Sequence, residues 1–228
     1  MKKFLSLLLM AMMLVSLTAS AETAAPTVFV SISDDAGSLV LAHVAVTVSD
    51  GDGDGLLTIC DALMAAHAAY HPDGADAFLA EDTEWGKSLY VLWGVDNGGS
   101  YGYMLNDASP MSLLDAVTDG DHVKAYAFTD LMNYSDTYAY FTAAVAAAAV
   151  NAEVALTLNA AGYDANWNPV VHPVAGAVFT VNGEKTDAVT DDSGHAALTF
   201  TEAGVYTVSA VSETMTLVPP VCIVTVTE

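Results

Sequence analysis

The sequence predicts two modules, a small α+β sheet-plus-helix module followed by an all-β sandwich. Three observations lead there. A single alanine-rich helical stripe, residues 61–70, stands between runs that alternate apolar and polar in the manner of strands. Beyond residue 141 the composition changes to short Val/Thr/Ala-rich runs at near-regular intervals, parted by Asn/Asp/Gly turns. The hydrophobic share, 54%, is much too high for a disordered chain, so the many acids must decorate a folded surface.

Taken in order, Met1-Lys2-Lys3, the apolar run Phe4 to Leu17 and Thr18-Ala19-Ser20-Ala21 read as the three parts of a signal peptide over residues 1–21. The apolar run is shorter than the roughly 20 residues of a spanning helix. The expectation is a secreted or extracellular protein with no membrane span in its mature chain. No cysteine near the cleavage site and no sorting motif indicates how it would associate with a cell surface.

The first module is placed at residues 27–130. Thr27 to Ser33 and Ser38 to Ser49 alternate around Asp34-Asp35-Ala36-Gly37, which predicts a hairpin. Asp61 to Tyr70 is a helix, with Leu63, Met64, Ala66 and Tyr70 as its stripe and His71-Pro72-Asp73-Gly74 as its stop. Ser88 to Trp93 and Tyr101 to Leu105 flank Asn97-Gly98-Gly99 and predict a second hairpin, and the Asp119-Gly120-Asp121 turn leads into a strand over His122 to Phe128. Residues 131–141 read as a connector. The second module, 142–228, has strands within Thr142 to Leu158, Gly176 to Val181, Ala196 to Phe200, Val205 to Val211 and Val221 to Val226. The alanine run Ala143 to Ala149 is helical by propensity, but it leads into the alternating Val154 to Leu158 and is read as strand.

Charge narrows the partners. Twenty-eight Asp and Glu against five Lys and Arg give a formal net charge of −23, which repels nucleic acid and anionic lipid and favours divalent cations. The two cysteines, Cys60 and Cys222, fall one in each module; they exclude a disulfide-dense scaffold and leave either two buried thiols or one bond. The chain has no G-x-S-x-G and no arginine, and neither cysteine has a histidine near it in sequence, so it is read as non-enzymatic. His67 and His71 are four apart on the helix, as in zinc sites, but Ala68 stands where a metalloprotease has its glutamate, and the pair reads as a helix end packing on the sheet.

Two segments carry candidate sites. Asp50-Gly51-Asp52-Gly53-Asp54-Gly55 followed by Asp61 is D-x-D-x-D-G with an acid at the twelfth position, the spacing of an EF-hand calcium loop. Hard oxygens would come from Asp50, Asp52, Asp54, the Leu56 carbonyl, Thr58 or a water, and Asp61. An aspartate at the last position resembles the dockerin version of the loop, whereas the strand pattern of Val44 to Val48 leaves no helix ahead of it. The alternative is a solvated turn whose acids suit the positive end of the helix. The second segment gathers Trp93, Asn97, Tyr101, Tyr103 and Asn106 among glycines, either as a ligand-facing lip or as core plus turn.

Val46-Thr47-Val48 before the acidic turn, Asp61-Ala62-Leu63 opening the helix, Gly99-Ser-Tyr-Gly-Tyr-Met-Leu-Asn106 and Asp119-Gly-Asp-His-Val123 resemble the transcobalamin-like C-terminal domain family over residues 44–128. That resemblance implies a cobalamin-closing fold in vertebrate carriers, where a helical barrel shares the ligand, and cell-surface or adhesive parts in bacteria. Gly176 to Gly183, Val189 to Phe200 and Ala203 to Ala210 resemble the central strands of a bacterial immunoglobulin-like domain, which implies a spacer or adhesion module. Together these readings predict a secreted, non-enzymatic binding or adhesion protein stabilised by one calcium ion, its partner an extracellular protein, glycan or small-molecule ligand. The alternative is an extracellular carrier holding a corrinoid such as cobalamin, or a similar flat ligand, between Trp93, Tyr101 and Tyr103.

Overall fold

The first sheet wholly buries alternate residues of its two central strands beneath one helix. The structure, a computed structural model, describes residues 24–84 and 86–228; the leader read over residues 1–21 lies outside them. Strands β1 (Thr27–Ser33) and β2 (Leu39–Thr47) form the expected hairpin, and α1 (Ile59–Tyr70) follows. A single 3-10 turn, Gly74–Ala77, leads to β3 (Leu79–Thr83), β4 (Gly86–Val91), β5 (Tyr101–Leu105) and β6 (His122–Ala127). The sheet order is β2-β1-β6-β5, with β1 parallel to β6. Val28, Val30 and Ile32 of β1 share a core with Ile59, Leu63 and Ala66 of α1 and with Val123 and Ala125 of β6. Fully burying one such side chain is worth about 1.5–3 kcal/mol, so this helix is held by packing more than by its own propensity.

The hairpin expected across Asn97-Gly98-Gly99 does not form. β4 pairs back with β3, and β5 pairs forward with β6. The physical reason lies in Tyr101, whose hydroxyl sits 2.6 Å from the Tyr90 carbonyl and 2.8 Å from that of Val95, pinning residues 92–100 as a crossing loop.

The rest of the chain is two facing sheets. In chain order the strands are β7 (Thr137–Phe141), β8 (Val145–Ala149), β9 (Glu153–Tyr163), β10 (Pro169–Pro173), β11 (Val178–Val181), β12 (Glu184–Val189), β13 (His195–Thr199), β14 (Gly204–Val211), β15 (Leu217–Val218) and β16 (Cys222–Thr227). One sheet runs β10-β9-β7-β15, with β13 also on β9; the other runs β12-β11-β14-β16-β8. Phe141, Leu156 and Leu158 from the first meet Phe179, Val208 and Val224 from the second, with the Phe141 and Phe179 rings edge to face at 5.2 Å. The chain is mostly β. The alanine run is strand because β8 pairs in parallel with β16, from Val145 opposite Ile223 to Ala149 opposite Thr227. The segment read as a connector contributes β7, whose Tyr138, Ala139 and Phe141 are buried.

A buried joint links the halves. Lys124 of β6, 2% exposed, donates from Nζ to the Ala139 carbonyl at 2.7 Å and lies 4.6 Å above the Tyr138 ring. Tyr138 in turn donates to Asp107 Oδ1 at 2.6 Å, and Tyr126, Tyr138 and Val218 form a small core with Met104, Phe128 and Tyr140 against it. Both cysteines are buried free thiols, Cys60 in the first core and Cys222 in the second, and burial pushes each up to about 11. No helix among the described residues is long and apolar enough to cross a membrane.

Candidate functional site

The acidic loop between β2 and α1 is organised by its own backbone. Asp50 Oδ1 accepts from the N–H groups of Gly53 (2.7 Å) and Asp54 (3.1 Å), and its Oδ2 accepts from Gly55 (3.0 Å). Asp52 and Asp54 accept in the same way from Asp54 and Leu56. Gly53 and Gly55 have φ of +80° and +86°, which a side chain resists. The result brings one carboxylate oxygen from each of Asp50, Asp52 and Asp54 within 4.8 Å of one another at the surface. Three converging hard oxygens are chemistry suited to a divalent cation.

Thr58 and Asp61, read from spacing as the ninth and twelfth ligands, are placed otherwise. Both are buried and form a capping box at the start of α1: Asp61 Oδ2 accepts from Thr58 N–H (2.9 Å) and Oγ1 (2.7 Å), while Thr58 Oγ1 accepts from Asp61 N–H. Asp61 Oδ1 accepts from Gly51 N–H at 2.7 Å, tying the loop to the helix. Leu56 is 53% exposed at the loop's end. A residue the spacing did not reveal sits against the cluster: Lys87 of β4 reaches Asp52 Oδ2 at 2.8 Å and Asp82 Oδ1 at 3.3 Å. Its hydrogen bond holds the Asp52 carboxyl below the usual range, and the same contact raises the ammonium. The only sequence signal was scarcity, since Lys87 is one of five cations in the chain.

The aromatic segment is half-buried and packs in part against the first core. Asn97 donates from Nδ2 to the Ser100 carbonyl (2.9 Å) and accepts at Oδ1 from Ser100 N–H (3.0 Å), closing the loop on itself. Asn97 N–H also meets the Tyr101 hydroxyl at 3.2 Å. Trp93, at φ +51°, donates from its backbone to His67 Nε2 (2.9 Å), and its ring lies 4.8 Å from that of His71. Trp93, Tyr101 and Tyr103 all pack against the first core, and burial raises both tyrosines. Asn106 stands beyond the far end of β5, donating to Asp121 Oδ1 and accepting from His122 N–H, each at 2.8 Å.

His67 is wholly buried. Its Nε2 accepts from Trp93, so the ring proton is on Nδ1 and is donated to the Leu63 carbonyl at 2.6 Å. Burial lowers this imidazole to about 4. With both ring nitrogens engaged, His67 offers no lone pair for a metal shared with His71.

No family model matches the chain, and no curated protein matches it. Among solved structures, tandem Ig repeats of Dlar are similar at 12% identity, over 66% of this chain and 76% of that one, with a TM-score of 0.25. That score is below what a shared overall fold produces, and no residue role passes from one chain to the other.

Proposed function

We propose that this chain is an exported, non-enzymatic binding or adhesion protein whose first module is clipped by one calcium ion. The observation that carries the reading is the convergence of Asp50, Asp52 and Asp54 on a loop tied to the capped end of α1. Calcium takes six to eight oxygens at about 2.3–2.6 Å. The three carboxylates and the Leu56 carbonyl supply the protein's share, and water the rest. Asp61 keeps its capping role and transmits the clip to the helix. Lys87 and calcium compete for Asp52 Oδ2. The buried joint at Lys124 and Tyr138 suits a protein that presents one module on the other at a set orientation. On the motifs already quoted, the first module groups with transcobalamin-like C-terminal domains and the second with bacterial immunoglobulin-like domains.

Calorimetric titration of calcium into chelator-treated protein, with thermal melts before and after, tests the clip. The expected result is one site and a higher melting temperature, the gain reaching about 2.7 kcal/mol at a hundredfold excess over Kd. D50A/D54A is expected to abolish both effects, and K87A to tighten binding by removing the competing ammonium. Absence of heat and of any shift, or binding that survives D50A/D54A, overturns the calcium reading.

A further inference from the structure

The hairpin formed by β9 and β10 ends in an exposed aromatic tip. Tyr163 pairs with Pro169, leaving a five-residue loop, 164–168. Trp167 is 81% exposed, the most exposed aromatic side chain among the described residues, and Tyr163 beside it is 57% exposed, their rings 6.1 Å apart and inclined at 49°. Neither ring covers a core.

The loop is nevertheless ordered by its own bonds. Asp164 Oδ1 accepts from the N–H groups of Asn166 (2.8 Å) and Asn168 (2.9 Å), and Oδ2 accepts from Asn168 Nδ2 (2.9 Å). Backbone bonds from Asp164 N–H to the Asn168 carbonyl and from Trp167 N–H to the Asp164 carbonyl close it further. Trp167 has φ +63°, a left-handed position that hairpin loops usually give to glycine. A bulky residue strained there and turned to water costs stability without returning packing, and such outliers cluster at ligand sites. The tip is a pre-organised pair of flat apolar faces, and the side-chain amide of Asn166, the residue before Trp167, makes no hydrogen bond among the described residues.

We propose that the Tyr163–Trp167 tip is a stacking site for an uncharged carbohydrate. The proposal rests on the binding reading and gives it a partner class and a place. An aromatic face matches the C–H face of a pyranose ring, while nearby amides answer its hydroxyls. Area argues against a protein partner: two aromatic side chains offer about 150–250 Å² each, short of the roughly 800 Å² a stable protein interface needs per partner. Charge argues against anionic lipid, nucleic acid and acidic glycans, since the chain carries −23 and the loop adds Asp164 with no cation.

The test uses the full chain and its W167A and Y163A variants, titrated calorimetrically with cellohexaose, mannohexaose, chitohexaose and lacto-N-tetraose, in calcium and in chelator. Acrylamide quenching of tryptophan fluorescence reports whether Trp167 becomes shielded. At least one oligosaccharide is expected to bind and shield the ring, with W167A weakening it about tenfold or more, as truncation of a central aromatic anchor does. Thermal melts of the variants are expected to match wild type, because the tip covers no core. If no oligosaccharide binds, or if Trp167 is shielded instead by neutral lipid vesicles or by self-association, the carbohydrate proposal falls. Binding of a sugar unchanged in W167A overturns the site but leaves the binding reading standing, and sugar binding lost only in chelator places recognition at the calcium loop.

Discussion

Replacing Lys124 with methionine tests whether the joint between the halves holds an uncharged amine. Lys124 is fully enclosed, and burial depresses its ammonium from 10.5 to about 7, with Asp107 pulling weakly the other way. Between those two values the unfolded chain carries the proton and the folded chain does not. Stability contributed by this site therefore rises with pH from about 7 towards 10.5 and is flat below 7, where both states are protonated. At about 1.4 kcal/mol per unit, the whole span is worth up to about 5 kcal/mol, and the step from pH 7 to pH 9 about 2–3 kcal/mol. The other titratable groups around it are His122 on the same strand, lowered to about 3 by burial, and Tyr126 and Tyr138, both raised by burial. None of these changes charge between pH 7 and 9. Urea unfolding followed by tryptophan fluorescence at pH 6.5, 7, 8 and 9 would compare wild type with K124M. K124M loses the bond to the Ala139 carbonyl, worth about 1 kcal/mol, yet is expected to be the more stable protein at pH 6.5, with the difference shrinking as pH rises. Parallel profiles for the two proteins would refute the buried neutral amine.

Two further outcomes follow from close contacts in the first module. In G102A the new Cβ would overlap Tyr126 Cζ and the phenol oxygen, so the ring must leave its place in the joint; a loss of about 1–3 kcal/mol is expected in a thermal or urea melt, and an unchanged midpoint would contradict the contact. His67 is held neutral, at about 4 against an ordinary 6.5. The unfolded state therefore takes up its proton first as pH falls from 6.5 to 4, and the site loses up to about 3 kcal/mol across that window. Urea midpoints at pH 7 and 5 are expected to fall further for wild type than for H67Q.

Local chemistry was legible in the sequence wherever the partners are near neighbours. The helix over 61–70 declared itself by its stripe, and the structure extends it to Ile59 because Thr58 supplies the cap. The acids at 50, 52 and 54 converge because each binds N–H groups two to five residues on, an interaction that spacing alone determines. Strands β3, β10 and β12 were not foreseen, since their exposed residues carry little apolar alternation and they exist through pairing with β4, β9 and β11. Tertiary structure alone decided that the alanine run is strand, because β16 offers it a ladder of hydrogen bonds that outweighs a weak helical preference. It also decided that Lys87, 35 residues from Asp52, stands against the acidic loop. Lys124 shows the division most clearly: in sequence it is one polar residue in an alternating strand, and it is buried because β7 lays its backbone across that face. The sequence by itself determined the first hairpin, the helix, the acidic cluster and the alternating faces, since these depend on contacts within a few residues. Which strand each face met, and hence which charges were enclosed, depended on burying apolar surface between segments far apart in the chain.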